Sequence, residues 1–550
     1  MGKAKMGILL LIARCDGTLG DMATFMKRVM AILWFAGIAL AQENHAGMAK
    51  EKPVALYSGL GVWKHPIATR NPEAQKFFDQ GLILLYGFNR QESLRSFQKA
   101  VELDPRAAMA QWGVAMATGP YVNMDGDPTL QMKVSCAAAQ SGLEIAGLSA
   151  AERPWLEAAA ARCPDYSDPS KYTTAMRALA ARFPDDPDAQ TLFAESLMLP
   201  VRWRWYNSDG KPAEGVAEAE RVLEAVLRRV PNHPGANHFY IHAVESSPTP
   251  ERAIPSAQRL MGIVPWAGHM VHMPGHIWLA TGQYQFAVDV NERAAEVDRE
   301  YFARTGMTGS YYGYYLHNLD FILYARTMQG RVAETGKAIA QMEEAARAMP
   351  EMAEAHAVLV AMSRIRVQQW DALMAAPEPD AKSTLALGFW RYARATALAA
   401  QGKPRDAAAE QAGFQALRKQ LDRNKDFGNN KLGDVMDLAS MVLAARLESS
   451  VEKWRKAVAM QDALVYDEPP AWYYPVRESL GAALLESGDA AAAELVFREG
   501  VRRSPLNGRM LFGLLESLKA QNKTDAAAWV EREFQSAWKG ADLKLRIRDL

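Results

Sequence analysis

One spacing recurs at both ends of this chain and limits what it can fold into. Gly81, Phe97 and Pro105 stand in the same relative positions as Gly481, Phe497 and Pro505; the first unit also carries Ala100, and the second Gly488 and Ala493. The step from glycine to phenylalanine is the same in both places, and so is the step from glycine to proline. Between the landmarks the sequence is Ala-rich, with apolar residues at helical spacing and turns of Gly, Pro, Asn and Asp. A period of roughly 34 residues built this way is a helix–turn–helix unit that cannot bury its apolar face alone and must stack on its neighbours. Other copies follow: Gly275, Gly282, Ala287 and Ala294; Ala253 with Pro265; Gly402 with Ala407; and degenerate pairs at 107–118 with 129–147 and 352–368 with 384–400. No convincing run alternates with period 2, so strands are not expected. Stacking also explains how 550 residues fold without several separate cores.

These landmarks resemble the tetratricopeptide repeat (TPR). The resemblance covers nearly the whole chain left after the expected signal and implies an all-α, α-solenoid superhelix whose first helices line a concave groove. The expected organisation is a signal with an upstream extension over 1–41, an extended segment over 42–71, a superhelix over 72–350 and further repeats over 351–550. Pro66 and Pro72 keep the segment before the first repeat out of helix.

The start of the chain reads as an export signal. Met26-Lys27-Arg28 precedes an apolar run, Val29 to Leu40, and Ala39-Leu40-Ala41 supplies small residues for cleavage after Ala41. The run is short for a bilayer span, so no stable membrane anchor is expected after cleavage. Loss of residues 1–41 removes five basic and two acidic residues from a chain with 63 of each. The remainder is slightly acidic, which argues against nucleic acid as the main partner. It keeps two cysteines, Cys136 and Cys163, which in an oxidising compartment either bridge or remain buried thiols.

Histidine carries the functional signal. Of ten in the chain, six lie between 238 and 317: His238, His242, His269, His272, His276 and His317. His238 and His272 are one repeat period apart, and so are His242 and His276, so these pairs occupy positions 5 and 9 of the first helix in adjacent repeats. Four apart, they share a helix face. His269 falls at position 2 of its helix. An insertion shifts the next unit and puts His317, Asp320 and Tyr324 at positions 2, 5 and 9. In the resembled fold these positions face the groove. Imidazoles from neighbouring helices packed about 8–10 Å apart can meet at one ion, which makes the cluster a candidate site for Zn, Cu or Fe with Asp320 as a carboxylate ligand. Glu245 is the candidate hydrogen-bond support or general base and Tyr324 a further candidate catalytic residue. Met270 and Met273 beside the cluster mildly favour Cu. His65 is a weaker candidate ligand reaching in from the extended segment. His45, His233 and His356 lack this registration. The chain has no HExxH.

Three aromatic segments flank the cluster. The Tyr-rich stretch 301–315 either covers the groove as a lid or packs between repeats. Trp203, Trp205 and Tyr206, and the loop Glu468 to Pro475, either cap repeats or touch a ligand.

The stretches GVWKHPIATRNPEAQKFFDQGL (61–82), ANHFYIHAVE (236–245), AGHMVHMPGHIW (267–278) and EPPAWYYPVRESLG (468–481) resemble a group of secreted bacterial TPR proteins of unassigned activity. That resemblance implies a periplasmic or secreted location and a repeat fold, and assigns no reaction. It also implies a histidine where Asp320 stands. Two functions follow from the sequence. One is an exported TPR protein with a metal-binding, His-rich groove site, a metalloenzyme being one form of it. The other is a periplasmic scaffold that binds a peptide or protein without catalysis, its histidines serving as polar lining. The sequence does not choose between redox and hydrolytic chemistry, or between a small molecule, a peptide and a protein in the groove.

Overall fold

The structure is a computed structural model that describes residues 52–123, 129–306 and 309–550. The expected signal, 1–41, and His45 lie outside the described residues. Among those residues the chain is an all-α, TPR-like solenoid of antiparallel helix pairs, with one two-residue hairpin, Asp426–Phe427 with Asn430–Lys431. No described helix is long and apolar enough to cross a membrane.

The repeat landmarks work as packing devices. In the first unit the helices Pro72–Tyr86 and Arg90–Leu103 cross where Phe97 meets Gly81. A Cβ at Gly81 would come within 2.8 Å of that ring, and one at Gly113, in the next first helix, within 2.2 Å. Phe497 sits the same way between Gly481 and Gly513, where a Cβ would come within 2.4 Å and 2.1 Å. One ring thus locks three helices, and only glycine leaves room for it. Both phenylalanines are fully buried. The helix starts follow their caps. The Asn71 side chain accepts from the amides of Glu73 and Ala74 before Pro72, and that of Asn507 from those of Arg509 and Met510.

The segment from 52 to 71 is extended, as the prolines require, and runs across several repeats. Its contacts include backbone bonds from Lys52 to Thr305 (3.0 Å) and from Trp266 to Gly59 (3.0 Å), and a bond from the Tyr57 amide to Gln80 (2.8 Å). The far end is equally well tied. After the helix Thr524–Ala537 the chain leaves helical geometry, and the amides of Asp542 and Leu543 donate to Gly330 O. The C-terminal Leu550 is buried, and its carbonyl accepts from Ser479. A buried carboxylate, Glu478, gathers Arg366 (2.8 Å), Arg509 (2.8 Å) and Asn507 (2.9 Å) between repeats. Cys136 and Cys163 form a disulfide, with Cα atoms 5.7 Å apart. Cys136 lies in the helix Thr129–Leu143, and Cys163 just past the helix Arg153–Ala160.

Candidate metal centre

The six histidines come from three successive first helices. Pro234–Glu245 carries His238 and His242. The next is broken by Pro274 into Gly268–His272 and Pro274–Ala280 and carries His269, His272 and His276. The third, Tyr312–Met328, carries His317. Their rings form one continuous cluster, with centroids 4.9 Å apart for His238–His242, 5.0 Å for His238–His269, 5.5 Å for His269–His272, 4.7 Å for His272–His276 and 4.8 Å for His272–His317. Five of them are no more than 3% exposed; His317 is partly exposed.

Hydrogen-bond partners assign the ring protons. His238 Nδ1 lies 2.5 Å from the Tyr86 carbonyl, which only accepts, so Nδ1 holds the proton and Nε2 a lone pair. His242 Nδ1 is 3.0 Å from Glu245 Oε1. His272 Nδ1 is 2.6 Å from Asn291 Oδ1, whose amide nitrogen donates to Ala287 O at 2.8 Å and so fixes the amide's orientation. His276 Nδ1 faces Glu245 Oε2 at 2.7 Å and also touches Glu468. The Nε2 atoms of His238 and His242, both ring nitrogens of His269 and Nδ1 of His276 are buried without a hydrogen-bond partner. A carbonyl, carboxylate or amide oxygen fixing Nδ1 while Nε2 stays open is the arrangement that orients metal-ligating histidines.

The electrostatics agree with neutral rings at His238, His269, His272, His276 and His317. Burial, and next the neighbouring His242, hold His238 well below the ordinary imidazole value. Burial and His238 do the same to His269, burial and His276 to His272, and burial and His242 to His276. Burial brings His317 down to about 4. Burial raises Glu245, and burial with the adjacent Glu245 raises Glu468 well above the carboxylate range. A crowded set of imidazoles in a dry pocket cannot all be cationic, which leaves lone pairs in the cluster available to a cation.

Three groups have ligand atoms all within 4.8 Å of one another and could hold an ion here: His238/His242/His269, His272/His276/His317 and His242/Glu245/His276. Asp320 joins none of them. The face of Tyr312–Met328 turned to the cluster carries His317 and, four residues on, Phe321, whose ring packs on His272 (4.6 Å) and His276 (4.9 Å). One residue earlier is about 100° around the helix, so the Asp320 carboxylate accepts instead from Tyr473 Oη at 2.6 Å. Burial pushes Asp320 up to about 7. Tyr324 also meets Tyr473, with ring centroids 5.1 Å apart, and not the histidines. His65 is elsewhere too: its Nδ1 is 2.9 Å from Asp188, which also takes Trp63, Tyr86 and His233. That knot anchors the extended segment to the helix Pro187–Met198, and His65 with Asp186 and Asp188 is a fourth potential cation group.

Several residues of the centre carry no helical register with the histidines. Glu468 arrives on a loop from the C-terminal repeats. Phe88, from the turn after the first helix, walls the cluster at 4.4 Å from His238 and 5.2 Å from His269. Asn291 holds the place after Gly275 that Phe97 holds after Gly81 and Phe497 after Gly481; that break in the repeat was the signal available for it. The Tyr-rich stretch is mostly helix, as the ends of Tyr284–Thr305 and Tyr312–Met328, and lays Tyr314 on His269 at 4.5 Å. Trp205 is fully buried and packs 5.9 Å from His242.

No family model matches the chain, and no curated protein matches it. Among solved structures, it is similar to the human IFIT1 dimer with m7Gppp-AAAA, at 13% identity and a TM-score of 0.31, over 86% of this chain and 91% of that one. It is also similar to yeast Tom70, at 12% identity and a TM-score of 0.30, over 84% of this chain and 90% of that one.

Proposed function

We propose that this chain is an exported TPR-like protein that holds a divalent transition metal in its buried histidine cluster. The observation that carries the reading is the set His238, His242 and His269: three imidazoles from two stacked helices, with ligand atoms within 4.8 Å and buried ring nitrogens that no protein group satisfies. Neutral nitrogen donors suit Zn, Cu or Fe better than Mg or Ca, which take oxygen. Imidazoles of the cluster would bind the ion, while Tyr86 O, Glu245 and Asn291 hold the rings in place through Nδ1. The bound ion would supply Lewis acidity or redox capacity. Glu245 and Glu468 both stand against His276 beside it. The Cys136–Cys163 disulfide supports a periplasmic or secreted location.

The scaffold alternative needs the histidines as exposed groove lining, and burial of five of the six counts against it. Elemental analysis of the purified mature protein, reconstituted with Zn, Cu or Fe, tests the proposal. A His238→Ala/His272→Ala variant serves as control. Stoichiometric metal that is reduced in the variant supports the reading; no stoichiometric metal under any loading removes it.

A further inference from the structure

Resting on that reading, we infer that the centre takes two transition-metal ions: one on His238, His242 and His269, the other on His272, His276 and His317. These two groups share no residue, and each brings three imidazole nitrogens within 4.8 Å of one another. One ion cannot use all six rings, because metal–nitrogen bonds of about 2.0–2.1 Å require the donor atoms to crowd around a single point. The cluster is instead drawn out: the chain of ring contacts from His238 to His317 passes through His269 and His272.

The supports repeat in parallel. In each group one histidine is fixed through Nδ1 by a neutral oxygen, Tyr86 O for His238 and Asn291 Oδ1 for His272. In each group a second is met at Nδ1 by the same carboxylate. Glu245 offers Oε1 to His242 at 3.0 Å and Oε2 to His276 at 2.7 Å. Glu245 therefore spans the two groups, hydrogen-bonded to His242 and within ion-pair distance of His276. The third member of each group, His269 and His317, has no such support and closes the set from the next helix or turn. In the second group the Nε2 atoms of His272 and His276 lie 2.7 Å apart, close enough to ligate one cation. The groups adjoin through His242–His276 at 5.6 Å and His269–His272 at 5.5 Å. Three nitrogen ligands per ion leave coordination positions open, as in catalytic rather than structural sites. The class of ligand such a pair takes is a small oxygen donor bound to both ions.

The test is stoichiometry on the full mature chain, with Zn(II) by elemental analysis and Cu(II) by electron paramagnetic resonance. Wild type should bind two equivalents, and the two Cu(II) signals should show magnetic coupling. His269→Ala and His317→Ala should each keep one equivalent and lose the coupling, and the double variant should keep none. Circular dichroism melts establish that each variant folds, and the wild-type count stands without them. One equivalent in wild type overturns the two-ion inference and leaves the metalloprotein reading intact, with His242/Glu245/His276 the next set to vary. Zero equivalents removes both. An ion retained by the double variant, at His65/Asp186/Asp188 for example, also overturns the inference.

Discussion

Asn291→Leu isolates the support beneath one ligand. Asn291 is fully buried, and its Oδ1 accepts from His272 Nδ1 at 2.6 Å. Leucine removes the acceptor and keeps an apolar side chain of comparable length. His272 then has two courses. Its Nδ1–H can stay buried and unpaired, which costs about 1–3 kcal/mol. Otherwise the proton moves to Nε2 and donates to His276 Nε2, 2.7 Å away, which relieves the penalty but takes the lone pair from the ion. Both courses weaken metal binding, and loss of such a support typically lowers affinity about 10–100-fold, or about 1.4–2.7 kcal/mol. Competition against a chromophoric chelator measures the shift. Asn291→Asp keeps an acceptor at the same place and should bind within a few-fold of wild type. Unchanged affinity in Asn291→Leu, with an unchanged melt, would refute the claim that Asn291 sets the tautomer of His272.

Three other outcomes test the frame. Cys136→Ser/Cys163→Ser opens a loop with a sequence separation of 27 and should lower stability by about 3–4 kcal/mol in chemical denaturation, the loss being absent when both proteins are reduced. Glu478→Ala leaves the guanidiniums of Arg366 and Arg509 buried without their carboxylate and should cost about 3–5 kcal/mol, read as a lower denaturation midpoint. The metal-free protein should lose stability in acid, His317 contributing with the other depressed histidines: burial holds its folded value at about 4, below the 6.5 of an exposed imidazole. The ring is then neutral in the fold while the unfolded chain takes up the proton. Stability from this group is complete above pH 6.5 and falls as pH drops from there to about 4, by on the order of 2–3 kcal/mol. His317→Gln should lessen that slope in a urea series across the range, the remainder coming from His238, His269, His272 and His276.

The helical repeat was legible because it rests on local rules. Gly81, Phe97 and Pro105 lie within one unit, and their spacing is set by helix geometry, so a second copy at 481–505 suffices to read the fold. The histidine cluster was legible for the same reason, since residues one repeat apart are stacked. What could not be read are contacts between distant units. Tyr86 and Phe88 belong to the first unit and Glu468 to one of the last, yet all three reach the histidines; their separation from His238 is fixed by how the whole solenoid stacks, which no local period encodes. The placement of Asp320 failed for a smaller reason. The insertion before Tyr312–Met328 leaves the repeat numbering free by one residue, and one residue turns a side chain by about 100°. His317 and Phe321 take the face that the numbering gave to His317 and Asp320.

The buried nitrogens that make the cluster a candidate site also weaken it. His238 Nε2, His242 Nε2 and both ring nitrogens of His269 have no hydrogen-bond partner, and each such atom costs about 1–3 kcal/mol relative to a satisfied one. The penalty falls on two helices, Pro234–Glu245 and Gly268–His272. In a solenoid, stability is close to a sum of units and nearest-neighbour interfaces, so relief of a local penalty is felt locally. An ion at a thousandfold excess over its Kd adds about 4 kcal/mol to whatever must open to release it. Hydrogen exchange should therefore show the amides of these two helices and of Tyr312–Met328 slowing by roughly two to three orders of magnitude on addition of Zn(II). The helix Thr524–Ala537, several units away, should exchange as before. A global melt is the weaker assay, because a long repeat array need not unfold in one step. Protection that rises evenly along the chain, or not at all at Pro234–Glu245, would mean that the ion does not sit on these histidines.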